Sequence, residues 1–368
     1  MAATLDEIID RLVLEGELYE RLPGGKVRCH ACGHRCVIFP GLRGICKVRF
    51  NDGGTLRVPW GYVAALQCDP TEKKPFFHVL PGSHTLTFGM LGCDLHCDFC
   101  HNWVTSQALR DPVAGIPPEM VTPEQLVALA LRHGGDLVGS SYNEPLITAE
   151  WAVAVFKRAK EAGLLTCFIS NGNATREVLE YLRPWCDCYK IDLKAMNQKN
   201  YRSLGGRLET VLDSIQMVHD MGFWLEVVTL VIPGYNDSDG ELRQAARFIA
   251  SVSPDIPWHA TAFHQDYKML ENESTGPRTL LRAAEIGVQE GLRYVYAGNL
   301  PGRVGPFEHT YCPQCRTPVI ERWGFRILAY RLQPGGACAT CGYRLPGVWW
   351  PDTPQMTGDG FVHSLLLR

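Results

Sequence analysis

Nowhere does the 368-residue sequence gather positive charge into a stripe or run into an acidic tail: 36 lysines and arginines face 39 aspartates and glutamates, for a net charge of -3. The footprint of a nucleic-acid binder is therefore missing, and electrostatics names no partner. Long apolar runs are also scarce. The opening MAATLDEIIDRLVLEGELYE carries six acidic residues among short apolar groups, which excludes a secretory leader or membrane span there and predicts an amphipathic helix. Cysteine, at 15 of 368 residues, stays below the level of disulfide-stapled secreted chains. With no export signal, the expectation is a cytoplasmic protein without a membrane partner, whose clustered thiols bind metal. With 46% hydrophobic and 20% charged residues the composition is globular, and the length predicts one large domain with one or two small ones.

Eleven of the fifteen cysteines fall into three runs. Cys312, Cys315, Cys338 and Cys341 form two C-x2-C turns separated by 22 residues, close to zinc-ribbon spacing, with Pro or Gly where the backbone must fold around an ion. Four thiolates close a tetrahedron, so the expectation is a structural zinc, with an iron centre as the alternative. Cys29, Cys32, Cys36 and Cys46 are less regular, and spacing alone does not separate zinc from a four-cysteine iron–sulfur cluster. Zinc is the expectation there too, with His30 and His34 on the surface. Cys68, Cys167, Cys186 and Cys188 stand outside these runs, the last three in apolar strand-like stretches, where cysteine acts as a small buried hydrophobe.

The third run, GCDLHCDFCHNW, holds only Cys93, Cys97 and Cys100, and the nearest other cysteine, Cys68, lies 25 residues upstream. Three thiolates on a four-iron cluster leave one iron without a protein ligand and free to bind a small molecule. A zinc ion completed by His96 or His101 is the alternative. The preceding HTLTFGMLG reads as a strand ending in Gly, which puts the three cysteines on a loop at a strand's C-terminal end, where α/β barrels build active sites.

Strand-like runs recur at 85–90, 137–142, 164–170, 188–193, 224–232, 258–264 and 292–297. Between them, 149–162 has apolar residues at helical spacing, and 122–132 opens with Thr-Pro and an acid as a helix start should. Alternation of strands with long helices predicts parallel pairing in a closed or incomplete barrel. Asn143 reads as a helix N-cap with Glu144-Pro145 starting the helix, and Ser170-Asn171-Gly172 as a turn. Asp192 and Lys194, two apart, share one face of a strand. Glu226 is a charge inside a strand, which must face a pocket or pair with a base such as Lys194.

C-x3-C-x2-C with an aromatic, Phe99, before the last cysteine resembles the signature of radical S-adenosylmethionine (radical SAM) enzymes. EKKPFFHVLPGS, CHNWVTSQ, SYNEP, ISNGN, KIDLKAMN, LVIPGYND, WHATAFHQDYKM, YVYAGNLPG and the ribbon ending in PGVW resemble, in order, the radical SAM member of the AmmeMemoRadiSam system. That group is itself similar to pyruvate formate-lyase activating enzyme, and the likeness spans roughly residues 17–350. It implies an α/β fold, a partial (β/α)6-type barrel with small cysteine-rich metal modules at both ends. The boundaries are then an N-terminal helix and four-cysteine module at 1–84, a barrel at 85–305, a zinc ribbon at 306–350 and a tail at 351–368. It implies a [4Fe-4S] cluster on Cys93, Cys97 and Cys100, with SAM beside Phe99, Asn143, Glu144, Ser170, Asn171, Asp192, Lys194, Glu226 and His264. Asn102 and Trp103 pack the cluster loop. In the activases the third strand ends Asp-Thr-Asn-Gly and helps hold a monovalent cation; Ile169 stands at the aspartate position here, so the likeness does not extend to that site.

The chemistry implied is reductive cleavage of SAM to methionine and a 5′-deoxyadenosyl radical, which takes hydrogen from a substrate the sequence does not identify. No catalytic acid or base is assigned. The implied partners are an external electron donor of the flavodoxin or ferredoxin type and AMMECR-like and Memo-like proteins. The alternatives are an activase of a glycyl-radical enzyme, against which stands the cysteine module ahead of the tripod, and a zinc-module adaptor with an inactive barrel.

Overall fold

The hydroxyl of Thr122 accepts from the Gln125 amide at 3.2 Å while the Gln125 side chain accepts from the Thr122 amide at 2.8 Å. With Pro123 at the first helical position, this reciprocal cap starts helix α1 (Pro123–Arg132) where TPEQ predicts it. The computed structural model describes residues 4–352, 354 and 363–364. Within it the strands are β1 (Ala65–Pro70), β2 (His84–Gly89), β3 (Leu137–Ser140), β4 (Leu165–Ser170), β5 (Cys188–Asp192), β6 (Trp224–Val231), β7 (Trp258–Ala262) and β8 (Val295–Gly298). The crossover helices after α1 are α2 (Ala149–Glu161), α3 (Arg176–Leu182), α4 (Leu208–Asp220), α5 (Asp239–Val252) and α6 (Pro277–Gln289).

Each strand from β2 to β8 pairs in parallel with the next, and a helix lies on every connection. The result is six βα units followed by a seventh parallel strand, one strand beyond the six-fold expectation. All seven strands fall inside or within one residue of the runs expected from sequence. Parallel strands covered by helices are apolar on both faces, and Val138, Phe168, Ile191, Val227 and Ala260 are all fully buried. The antiparallel β1 extends the sheet beside β2, ahead of residue 85, and the backbone of His363–Ser364 pairs with β1. The remaining tail, 353 and 355–362 with 365–368, lies outside the described residues. Among the described residues β8 pairs only with β7, so the barrel is incomplete.

The expected N-terminal helix is only Leu5–Ile9. Val13–Glu15 is instead a strand on Thr55–Pro59, and Tyr19–Leu22 pairs with Lys26–Cys29. Partners some forty residues downstream override the local helical spacing in the first case. The C-terminal segment lies across the N-terminal end of the barrel: Leu80 donates to the Val348 carbonyl and Val348 to that of His78, each at 2.8 Å. Among the described residues no helix is long and apolar enough to cross a membrane.

Candidate functional site

The loop after β2 is held by backbone approaches that exclude a side chain. A Cβ on Gly89 would lie 2.6 Å from the Ser141 carbonyl oxygen and 2.7 Å from Cβ of Tyr142; one on Gly92, at φ +92°, would lie 2.8 Å from Val48. The loop is thus pressed between the β3 turn and the N-terminal module. Cys93, Cys97 and Cys100 line a cavity of about 130 Å³ at the C-terminal ends of β2 to β5, together with Asn143, Glu144, Ser170, Asn171, Asp192 and Lys194. Burial is the largest cause of the raised pKa of each thiol, and it brings Cys97 to about 12.

Glu144 follows β3 and caps a 3-10 turn, Pro145–Thr148, that runs into α2. The cap is therefore Glu144, one residue after the Asn143 expected. Its Oε1 accepts from the Leu146 amide at 3.1 Å and the Ser170 hydroxyl at 2.7 Å, and its Oε2 accepts from the Asn171 amide at 2.7 Å. A carboxylate offers about four lone-pair sites, so Oε2 keeps one for a donor in the cavity. Burial, joined by the nearby Asp94 carboxylate, pushes the Glu144 pKa up to about 8 against these three hydrogen bonds. Asn143 is turned to structure: its Oδ1 accepts from the Met90 amide at 3.0 Å.

Asp94, inside the cysteine loop, was not singled out from sequence. It is fully buried and accepts from Asn171 Nδ2 and Asn173 Nδ2, both at 2.7 Å. The signal lay in SNGN, whose two asparagine side chains need acceptors once buried. Tyr142 was also missed. It lines the cavity at φ +66°, a costly conformation for an aromatic residue, and its hydroxyl bonds to Thr87 at 2.8 Å and Gln67 at 3.0 Å.

At the end of β5, Asp192 stands between Lys190 and Lys194, with Lys194 Nζ at 3.2 Å. Lys190 is two residues from Asp192 on the same face and lines the cavity as well. Burial pushes the Asp192 pKa up, but the two ammonium groups outweigh it and hold the carboxyl at about 2. Burial likewise works against the Lys194 ammonium, yet Asp192 and the Cys97 thiol raise its pKa.

Three expected members lie elsewhere. Phe99 is buried under the loop, edge-on to Tyr235 at 5.6 Å. His264 is exposed and stacks on His101 at 3.9 Å, because its β7 loop turns outward past the cysteine loop. Glu226 neither reaches the cavity nor pairs with Lys194. It accepts from the Phe77 and His78 amides at 3.0 and 2.9 Å, from Trp224 Nε1 at 3.0 Å and from His259 Nε2 at 2.6 Å. Four donors satisfy a charge that plugs the N-terminal end of the barrel. Asn102 lines the cavity, while Trp103 stacks on Tyr267 at 5.2 Å.

The ribbon thiols lie mutually within 4.8 Å, with Cys312–Cys341 at 3.5 Å and Cys315–Cys338 at 3.7 Å. A tetrahedral ion with metal–sulfur bonds of about 2.3 Å requires sulfurs about 3.8 Å apart, so the set fits one ion. Cys29, Cys32 and Cys46 are buried and Cys36 is half-buried. His34, expected on the surface, is half-buried and bonds the Asp94 carbonyl at 3.1 Å. Cys68, Cys167, Cys186 and Cys188 are buried.

Residues 88–248 match the Radical SAM superfamily. An uncharacterised protein of Methanocaldococcus jannaschii is 35% identical over 334 residues, covering 90% of this chain and 98% of that protein. The chain belongs to the radical SAM superfamily. Pyruvate formate-lyase 1-activating enzyme of Escherichia coli K12 is 24% identical, covering 59% of this chain and 93% of the enzyme. Among solved structures, a radical SAM methyltransferase from Sphaerobacter thermophilus covers 61% of this chain and 70% of its own, at 16% identity and a TM-score of 0.48. Membership in the superfamily implies a [4Fe-4S] cluster and SAM, and the donor set fits: three thiols, a carboxylate with a free lone pair and a buried lysine line one cavity.

Proposed function

We propose that the protein is a radical SAM enzyme whose cluster is held by Cys93, Cys97 and Cys100 and whose substrate is a molecule seated inside the incomplete barrel. The observation that carries this reading is the three-thiol cavity with Glu144 on its wall. Bound there, the cluster would supply an electron and SAM a sulfonium, whose reductive cleavage would give methionine and a 5′-deoxyadenosyl radical able to take a hydrogen atom from substrate. Glu144 would accept from the methionyl ammonium through the free lone pair of Oε2, and that positive charge would favour the ionised carboxylate against burial. Lys194, anchored by Asp192, offsets the negative charge of the thiolates.

Asp192 pairs with Val228 across β5 and β6, and Val228 lines a second cavity of about 640 Å³. Phe77, His259 and Asn299 contribute to that cavity, as do the ribbon hairpin residues Trp323 and Arg326. A chamber of this size suits a small molecule, and the hairpin limits access of water. Zinc in the ribbon fixes the hairpin. A flavodoxin- or ferredoxin-type donor supplies the electron, and AMMECR-like and Memo-like proteins are the proposed partners in the cytoplasm.

Activation of a glycyl-radical enzyme is the second reading, favoured by similarity to the pyruvate formate-lyase activating enzyme over 93% of its length. Anaerobic protein reconstituted with iron and sulfide, reduced with dithionite and given SAM should form 5′-deoxyadenosine; Cys97→Ala should form none. Absence of product from the unaltered protein would retire both enzymatic readings and leave the adaptor. A glycyl-radical signal raised on a partner enzyme would decide for the activase.

A further inference from the structure

One run of four clustered thiols remains outside this reading. Cys29, Cys32 and Cys46 are buried and Cys36 half-buried in the N-terminal module, where the Cys29 amide donates to the Cys36 carbonyl at 3.0 Å and buried Arg49 pairs with Glu150 at 2.6 Å. The backbone is left-handed at Arg35 (φ +43°), before Cys36, and at Lys47 (φ +69°), after Cys46. Arg316 (φ +62°), after ribbon Cys315, has the same form. Non-glycine residues hold such angles where the surroundings over-determine them, as ligation does.

The sulfur spacing separates the module from the ribbon. One tetrahedral ion needs all four sulfurs about 3.8 Å apart, and the ribbon's four lie mutually within 4.8 Å. Among the described residues, no three thiols of the N-terminal set lie mutually within 4.8 Å, and neither do Cys93, Cys97 and Cys100. Wider spacing is what a polynuclear centre requires, because each thiolate binds a different metal atom. The N-terminal set thus departs from the compact mononuclear spacing of the ribbon, as the proposed cluster site does.

We infer that Cys29, Cys32, Cys36 and Cys46 hold a second iron–sulfur cluster, placed beside the first as an electron-entry centre; its presence is independent of the proposed function, and its relay role rests on that reading. The two cysteine loops meet directly. The Gly33 amide donates to the Asn173 carbonyl at 2.8 Å, Asn173 Nδ2 donates to Asp94 at 2.7 Å, and His34 bonds the carbonyl of the same Asp94, which follows Cys93. On the other side, a Cβ on Gly92, the residue before Cys93, would lie 3.1 Å from the Cys46 carbonyl oxygen. Half-buried Cys36 marks the side open to a donor. The outer cluster would take one electron from a low-potential protein donor and would pass one electron to the cluster on the tripod; no bond would be made or broken and no proton would move.

Metal analysis and electron paramagnetic resonance on the anaerobically purified full-length chain test this. The unaltered protein should carry about eight irons and one zinc, counting four irons per four-iron cluster. The Cys93→Ala/Cys97→Ala/Cys100→Ala variant, which leaves the N-terminal module intact, should keep half of that iron and a reduced-cluster signal under dithionite. Four irons with two zinc ions in the unaltered protein, or an iron-free variant, overturns the inference and leaves the proposed function standing. The reduced unaltered protein should show dipolar broadening that vanishes in the variant, whereas two non-interacting signals overturn the relay placement. Retained iron in the variant with no SAM cleavage by the unaltered protein overturns the proposed function alone.

Discussion

Glu144 and Glu226 are both buried carboxylates on the barrel, and their partners assign them different tasks. Glu144 spends three acceptor sites on Leu146, Ser170 and Asn171 and keeps one, on the wall of the cavity that the thiols also line. Glu144→Ala should weaken SAM binding about 10- to 100-fold, the value of a charge-assisted hydrogen bond of about 1.5–3 kcal/mol, with cluster absorbance intact. Equal affinity in equilibrium binding would return Glu144 to helix capping alone. Its raised pKa also has a sign: the stability it contributes to the metal-free protein is complete below the ordinary carboxyl value and is lost as pH climbs toward about 8. Urea titrations across that window should show a steeper fall for the unaltered protein than for Glu144→Gln. Glu226, with its four donors, plugs the barrel floor. Glu226→Ala should cost about 3–5 kcal/mol in urea unfolding, as breaking a buried charged network does, while SAM affinity holds. The sequence shows that Glu226 needs partners; it does not show that two are amides 148 and 149 positions earlier.

At the scale of elements, the strands and crossover helices were legible because each carries its own periodicity and caps, as Thr122-Pro123 does for α1. The ends of β2 to β5 were legible as site positions for the same reason. Segments whose partners are distant were not: Val13–Glu15 became a strand on Thr55–Pro59, and the outward turn after β7 carried His264 away from the cavity. Asp94 belongs to this class, since its role arises only when the β4 turn brings Asn171 and Asn173 to it. Asp94→Ala should leave two buried amides unpaired and loosen the cysteine loop. Iron per chain after reconstitution should fall while far-ultraviolet circular dichroism stays unchanged; full iron loading would remove Asp94 from loop positioning.

The whole molecule is an incomplete barrel whose open side is covered by its C-terminal module. Arg322 reaches from the ribbon hairpin to the Phe77 carbonyl at 2.8 Å, and Tyr296 of β8 bonds Thr310 at 2.8 Å, so the ribbon joins the β8 edge to the segment before β2. An ion held by the ribbon thiols would therefore stabilise the barrel as well as its own turns. Cys338→Ser should lose one metal ion and lower the melting temperature while the tripod keeps its iron; an unchanged melting temperature would separate ribbon from barrel energetically. The cysteine count foretold the ribbon site, but its function as a cavity wall depends on contacts made only after folding.

The proposed function requires that three thiolates leave one iron of a cluster open to SAM. Electron–nuclear double resonance on the reduced cluster, with SAM labelled in its amino nitrogen and carboxylate, tests it most directly. Hyperfine coupling to both labels is the predicted result; a cluster signal identical with and without SAM would contradict it.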